Sequence, residues 1–406
     1  MAHVGIGRLG FPKFAVHENL LVTPRYSTEV SNVFWAQALS TERGKAVLTK
    51  LEGDLRVQSL LGQQISTGTG LILFDRTDRL AAWWLWRANE VGEQQADAEL
   101  EVFLTSPTMD ATFVMWVYGV TSDTALQITD GISLVPMKEM PDSDDKEYFL
   151  RLRNGGRSII PYPVSALTKR KTISRTLHQD SLLNDKANGV IHTQFYHLAA
   201  IMNCLPGICC TPGYSTSYVD PDKPFGPLSG GGGSSPIYDV LPLRLTTLRV
   251  EHCTLAERLF QSFQKFTDKR KQQFERSLHR LAQAKGRAND ADRALDLGIS
   301  LEMLLLANEN EKDIPDQLSL TFRLRGAWLI GADETDRVDV YKSLKTIYAI
   351  RSQLAHTGRS KILDKLDFNS RKVLFDEHFK TADRIVQKLL LSSSYPSWDD
   401  LVLNTL

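Results

Sequence analysis

The spacing of apolar positions changes near residue 250. After Glu251 it follows the three-and-four rhythm of helices that bury one face. Five helices are predicted there, at about Thr254–Lys285, Asp290–Ala307, Pro315–Ile330, Thr335–Ala355 and Ser370–Ser392. Gly286, Gly331 and Gly358 fall near their ends, and Pro315 falls in a first turn, where a missing amide hydrogen costs little. Earlier in the chain, from about Asn19 to Asn154, short runs rich in β-branched and aromatic residues alternate with turn signals. Gly70–Phe74, Leu100–Leu104 and Thr112–Tyr118 are typical, and they predict a mainly antiparallel β-rich unit over residues 1–157. The segment Trp83-Trp-Leu-Trp86 reads as a strand whose indoles pack between sheets in preference to forming a platform for stacked bases.

Between these regions, over residues 158–250, Pro161, Pro163, Pro206 and Pro212 interrupt any long period, and no fold is predicted. Residues 222–236 combine Pro224 and Pro227 with the run Gly230 to Gly233 and then Ser234 and Ser235, a composition with nothing to bury. A flexible segment or boundary is expected there. The expected fold class is therefore α+β and multidomain: a β-rich N-terminal domain, an ambiguous middle, and an all-α bundle over residues 251–406. The chain's 406 residues exceed one typical core, in keeping with two or three domains.

Charge narrows the partners. Lys plus Arg equals Asp plus Glu at 48 each, so no overall positive field would hold long nucleic acid. A local basic surface would be needed. Lys265, Lys269, Arg270, Lys271, Arg276 and Arg280 could supply one, but Asp268 and Glu275 interrupt them, and a solvated helix face is an equal reading. The longest apolar run, Leu198–Cys210, contains Asn203 and Pro206 and is shorter than the roughly 20 residues of a membrane helix. The first eleven residues carry no signal-peptide pattern, so a cytoplasmic location with reduced thiols and no membrane contact is expected. Cys204, Cys209 and Cys210 with His192 and His197 lack the spacing of paired metal hooks and read as buried thiols. No metal or other cofactor is expected. Phosphate-loop, zinc-helix and nucleophile-elbow motifs are missing.

One constellation in the bundle carries chemistry. Val340, Tyr341, Leu344, Ile347, Tyr348, Leu354 and Ala355 share a broad helix face, and Arg351 lies near its middle. A guanidinium there must meet a carboxylate, a phosphate or a wet interface, because burying an unpaired charge costs roughly several kcal/mol. His356 follows about 140° further round the helix, directly before Thr357 and Gly358, which places it at the helix C-terminus. The partial negative charge of that terminus favours the imidazolium, which suits a proton-transfer role. Glu302 lies among Ala291, Leu295, Gly298, Leu305 and Leu306 on its own helix and reads as a buried carboxylate. Its partner is either Arg351 or Arg325, and the pattern does not decide.

Three runs together resemble HEPN domains of the Apea type. They are Asp292-Arg-Ala-Leu-Asp-Leu-Gly-Ile-Ser-Leu-Glu302, Arg323-Leu-Arg-Gly-Ala-Trp-Leu-Ile330 and Ile347-Tyr-Ala-Ile-Arg-Ser-Gln-Leu-Ala-His356. The likeness covers about residues 251–392. It implies that Arg351 and His356 fill the Arg-x4-6-His ribonuclease motif, with Ser352 in the family's polar position; Glu302 and Arg325 are supporting residues on the helix-face reading alone. One departure is Thr357, where many relatives carry glycine directly after the histidine.

The resemblance further implies a face-to-face homodimer, RNA (possibly tRNA) as substrate, no metal, and a role in anti-phage defence. A trigger or restraint would then act on the N-terminal region. The competing expectations are a HEPN scaffold that binds RNA or nucleotide without cutting, with Arg351 and Glu302 as a structural ion pair, and a protein-interaction adaptor.

Overall fold

The structure is a computed structural model that describes residues 33–66, 71–141, 143–154, 163–177, 182–220, 222–225, 242, 244–306, 317–392 and 395–403. The flexible segment expected at 222–236 and the sequence before residue 33 lie largely outside the described residues. The class is α+β.

Helices open the described chain: α1 (Val33–Ser40), α2 (Glu42–Glu52) and α3 (Leu55–Leu60). Thr41 and Asp54 cap the second and third by accepting from the amides of Gly44 and Arg56. Two short strands, β1 (Gln64–Ser66) and β2 (Leu71–Leu73), precede α4 (Asp78–Val91) and α5 (Glu93–Thr105). The strand expected at Gly70–Phe74 is present as β2, but those expected at Trp83–Trp86 and Leu100–Leu104 are helical. The N-terminal portion is thus a helical unit joined to a sheet. Buried residues surround the middle of α4 on every side, from Leu80 through Trp86, so that stretch shows no exposed stripe. Its tryptophans fill the core between helices, and two of their N–H groups are satisfied. Trp83 Nε1 donates to the Asp222 carbonyl at 2.9 Å, and Trp84 Nε1 donates to Asp97 Oδ1 at 2.9 Å.

The main sheet starts with β3 (Thr108–Tyr118), followed by β4 (Val120–Thr121), β5 (Leu126–Thr129) and β6 (Ile132–Pro136). After α6 (Asp144–Asn154), the middle region adds β7 (Ser165–Ser174), β8 (Thr176–Leu177), α7 (Leu182–Met202), β9 (Thr211–Val219) and β10 (Thr246–Thr247). The order is β5-β6-β7-β3-β9, and each neighbouring pair is antiparallel. The stretch that resisted assignment therefore supplies both neighbours of β3, and one of them, β7, is the central strand. The same region closes two smaller pairings, β2-β1-β8 and β10-β4.

Alternation along β3 feeds two cores. Val114 and Trp116 face Phe149 of α6, together with Ala166 and Tyr218. Phe113, Met115 and Val117 face the other way, onto Ile191, Phe195 and Leu198 of α7.

Beyond α7 lies the bundle: α8 (Val250–Gln264), α9 (Asp268–Gly286), α10 (Asp290–Leu305), α11 (Leu318–Ile330), α12 (Glu334–Thr357), α13 (Lys361–Asp364), α14 (Phe368–Leu391) and α15 (Trp398–Leu403). The single helix expected at Thr254–Lys285 is two. α8 ends at Gln264, and Thr267 caps α9 with its hydroxyl oriented to the Arg270 amide. One contiguous apolar core runs from the inner face of the sheet through α7 into α8, α9, α10, α12 and α14. It has no break at residue 250. Where α7, α9 and α14 meet, Lys285 Nζ lies 2.9 Å from Asp383 Oδ1 with both side chains almost fully buried, and it also donates to the Asn203 carbonyl at 2.5 Å. Burial pushes the Asp383 carboxyl up to about 7, against the opposing pull of Lys285. Among the described residues no helix is long and apolar enough to cross a membrane.

Candidate active site

Two antiparallel neighbours in the bundle, α10 and α12, build the candidate site. Asn289 caps α10 by accepting from the amides of Ala291 and Asp292, and Asp333 caps α12 by accepting from the Asp336 amide. Along α12 the buried positions are Val340, Leu344, Ile347, Ile350 and Leu354. Arg351 continues the Leu344, Ile347 and Leu354 stripe, as the spacing predicts, but its side chain stays 27% exposed.

Gly298 explains how a long cationic side chain fits on that stripe. A Cβ at this position would stand 2.6 Å from Arg351 Cγ and 2.8 Å from Arg351 Cβ, so the arginine stem lies directly on the α10 backbone. Four residues on, one helical turn along the same face, Glu302 receives the guanidinium: Arg351 Nη2 lies 2.8 Å from Glu302 Oε2. The slot and the acceptor are thus one i, i+4 pair. The partner left open between Arg351 and Arg325 is Arg351.

Burial raises the Glu302 carboxyl above its ordinary value, and Arg351 opposes the rise. The carboxylate is therefore a poorly solvated anchor that depends on its cation. Arg351 Nε is buried with no hydrogen-bond partner among the described residues, so Glu302 engages only one edge of the guanidinium fork.

Arg325 serves elsewhere. Its Nη1 donates to the Leu305 carbonyl at 2.9 Å, and its guanidinium carbon lies 4.8 Å from the centre of the Trp398 ring. It closes the C-terminal end of α10 against α15. Ser352 is half-buried, adjacent to Arg351 on α12.

His356 is exposed in the last turn of α12. Helical rise puts it about 7.5 Å further along the axis than Arg351. Thr357 does not disturb the ending, because it remains inside the helix. Gly358 takes the left-handed conformation, φ 68°, and donates its amide to the Leu354 carbonyl at 2.9 Å. Gln353 then pins the following turn: its Oε1 accepts from the Lys361 amide at 2.9 Å and from Ser360 Oγ at 3.2 Å. Sequence reasoning used neither Gly298 nor Gln353 in this way. A glycine inside an otherwise helical pattern was the available signal for the first. Nothing in the spacing distinguished the second.

The other sequence candidates separate from the site. Arg270 is no surface cation: its guanidinium carbon lies 3.9 Å from the Phe266 ring centre and 4.8 Å from that of Tyr395, and Nη2 donates to the Leu389 and Ser392 carbonyls. Arg280 pairs with Asp296 at 2.8 Å. The basic stretch therefore gives two of its six members to internal ties. Cys204, Cys209 and Cys210 are buried thiols, and burial raises all three, Cys209 to about 11. Among the described residues, no group of three His, Cys, Asp or Glu side chains is placed to hold a metal ion.

Comparison of the chain with protein-family models, with curated proteins and with solved structures returns no match.

Proposed function

We propose that the C-terminal bundle is an endoribonuclease of the HEPN type that acts as a homodimer and cuts RNA without a metal. The observation that carries this reading is the seating of Arg351. Its guanidinium is anchored by Glu302 through one nitrogen and stays partly exposed, on the same helix as the exposed His356.

The chemistry balances with two histidines. His356 of one copy removes the proton from a ribose 2′-OH, and the oxygen attacks the adjacent phosphorus in line. A second His356, from the other copy, gives a proton to the departing 5′ oxygen as the P–O5′ bond breaks. The products are a 2′,3′-cyclic phosphate and a 5′-OH. Arg351 stabilises charge on the non-bridging oxygens, a role suited to a planar, permanently charged group. Because the nucleophile belongs to the substrate, no metal-bound water is needed, and DNA is not a substrate.

On this reading the protein works in the cytoplasm. Cleavage of transfer RNA or another host RNA would halt translation during phage infection, under a trigger acting on the N-terminal region. The second reading, an RNA- or nucleotide-binding scaffold, rests on the Arg351–Glu302 ion pair, which could serve structure alone. Digestion of total and transfer RNA in EDTA separates the two, with wild type compared against Arg351→Ala and His356→Ala. Cyclic-phosphate products that vanish in both folded variants support the nuclease. RNA binding without cleavage by the wild type supports the scaffold.

A further inference from the structure

Arg337, Leu344 and Arg351 recur at every seventh position of α12, and each lies over a glycine. A Cβ at Gly298 of α10 would meet the stem of Arg351, one at Gly326 of α11 would meet Leu344, and one at Gly331, which ends α11, would meet Arg337 Cγ. At 100° per residue these three fall within about 80° of one another together with Tyr341 and Tyr348. Helical rise puts Arg337 about 21 Å along the axis from Arg351.

The seam between α11 and α12 alternates rings and guanidinium groups. The guanidinium carbon of Arg337 lies 4.2 Å from the centre of the Trp328 ring, and that of Arg323 lies 5.0 Å from the centre of the Tyr341 ring. Tyr348 continues the row towards Arg351, with its ring centre 5.5 Å from that of the buried Phe322. Arg323, Trp328, Arg337, Tyr341 and Tyr348 are all half-buried, so each keeps some surface.

Neither arginine is spent on an ion pair. Arg323 Nε donates to the Ser319 carbonyl at 2.7 Å, and Arg337 Nε is buried with no hydrogen-bond partner among the described residues. No carboxylate among the described residues lies within ion-pair distance of either. α11 has no acidic residue. On α12, Asp336 pairs with Arg384 at 2.6 Å and Asp339 with Lys342 at 3.6 Å, which leaves Glu334 at the first position of the helix.

This arrangement selects a partner. A ring against a guanidinium fixes its plane and leaves the terminal N–H groups in the fork that matches phosphate oxygens. Tyrosine rings and guanidinium planes also take stacked bases. A duplex hides its base faces and an acidic peptide has none, so phosphate forks interleaved with stacking surfaces fit an unpaired strand. We propose that the α11–α12 seam is a binding track for single-stranded RNA that leads to Arg351. Its end at Arg351 rests on the ribonuclease reading; binding along the seam does not. Stacking tolerates every base, so the track sets strandedness and leaves sequence open.

Fluorescence anisotropy tests this on the full chain carrying His356→Ala, which keeps the probe uncut. The probes are an unstructured oligoribonucleotide of mixed sequence, its duplex with complementary RNA, and poly-glutamate. The single strand is expected to bind most tightly. Adding Arg323→Met and Arg337→Met together should weaken it by about tenfold or more and lower the slope of log affinity against log salt by about 0.7 per arginine. Tyr341→Leu should weaken binding and leave that slope unchanged. The arginine variants break no ion pair and should fold, which melting checks. The inference is overturned if no single strand binds, if the double variant matches its parent in affinity and salt slope, or if the duplex or poly-glutamate binds as tightly as the single strand. Arginine-dependent binding by a protein that cuts no RNA would support the track and remove the nuclease reading. Full cutting by Arg323→Met/Arg337→Met with His356 intact, and with binding unchanged, would overturn the track and leave the nuclease reading standing.

Discussion

Arg351 lies across Gly298: the arginine's Cγ occupies the space 2.6 Å from where a glycine-to-alanine methyl would stand. The contact is with the root of the side chain, which has little freedom to swing aside, and Glu302 holds its other end.

Gly298→Ala should therefore displace Arg351 from Glu302. Alanine gains about 1 kcal/mol of helix propensity, and overpacking costs about 1–3 kcal/mol. A net loss of about 1 kcal/mol is expected in urea unfolding. If the proposed function holds, RNA cleavage should fall toward the Arg351→Ala level. An unchanged midpoint with full activity would show that the close approach does not position the guanidinium.

Glu302→Gln removes the anchor's charge but keeps its shape. The exchange takes the carboxylate partner away from Arg351 but also spares the bundle the cost of holding a poorly solvated charge, and the direction of the Glu302 shift says that the second effect outweighs the first. The folded value of Glu302 lies above its ordinary value, so its contribution to stability is complete below about 4.5 and is lost as pH rises through the raised value. The variant should lack that decline. Urea midpoints measured against pH for both proteins test this.

Arg325→Ala distinguishes a structural cation from a catalytic one. Loss of the bond to the Leu305 carbonyl and of the stack on Trp398 should cost about 1–2 kcal/mol. Cleavage per folded molecule should be unchanged. A fall in activity with no fall in Tm would return Arg325 to the active site.

Asp383 and His378 titrate in opposite senses on α14. Asp383 rises to about 7 from an ordinary 3.8, so its contribution is full below that ordinary value and is lost as pH climbs to about 7. Burial lowers His378 from 6.5 to about 4, so its contribution is full above 6.5 and is lost as pH falls to about 4. Relative to wild type, Asp383→Asn should gain stability as pH rises from about 4 to 6.5, and His378→Gln should lose it. Parallel profiles for all three proteins would remove both assignments.

How far the fold could be read in advance depended on the range of the interactions that set each element. In α12 the buried Leu344, Ile347 and Leu354 carry a local period, and the placement of Arg351 followed from it. In α4 the run Trp83-Trp-Leu-Trp86 read alone suggests a strand, because tryptophans favour sheets, but it lies inside a longer helix and is buried throughout. In α5 the buried Ala96, Leu100, Phe103 and Leu104 do have helical spacing, but Leu100–Leu104 alone is too short a window to reveal it.

The pairing of Phe113 with Lys169 and with Ser217 joins positions far apart in the chain, and no local pattern announces it. The candidate site divides the same way. The place of an arginine on the apolar stripe and of a histidine at the helix end was legible, whereas the choice of Arg351 over Arg325 as the partner of Glu302 depended on how α10 and α12 approach each other over Gly298.

The unbroken apolar core between sheet and bundle means that the last third of the chain is not a portable cassette. A fragment starting at residue 251 would carry Leu259, Phe263, Phe274 and Leu278 without the α7 and sheet residues that share their core. Such a fragment would aggregate or recruit a substitute surface. Grafting these helices onto another sensor would have to bring α7 and the strands beneath it as well.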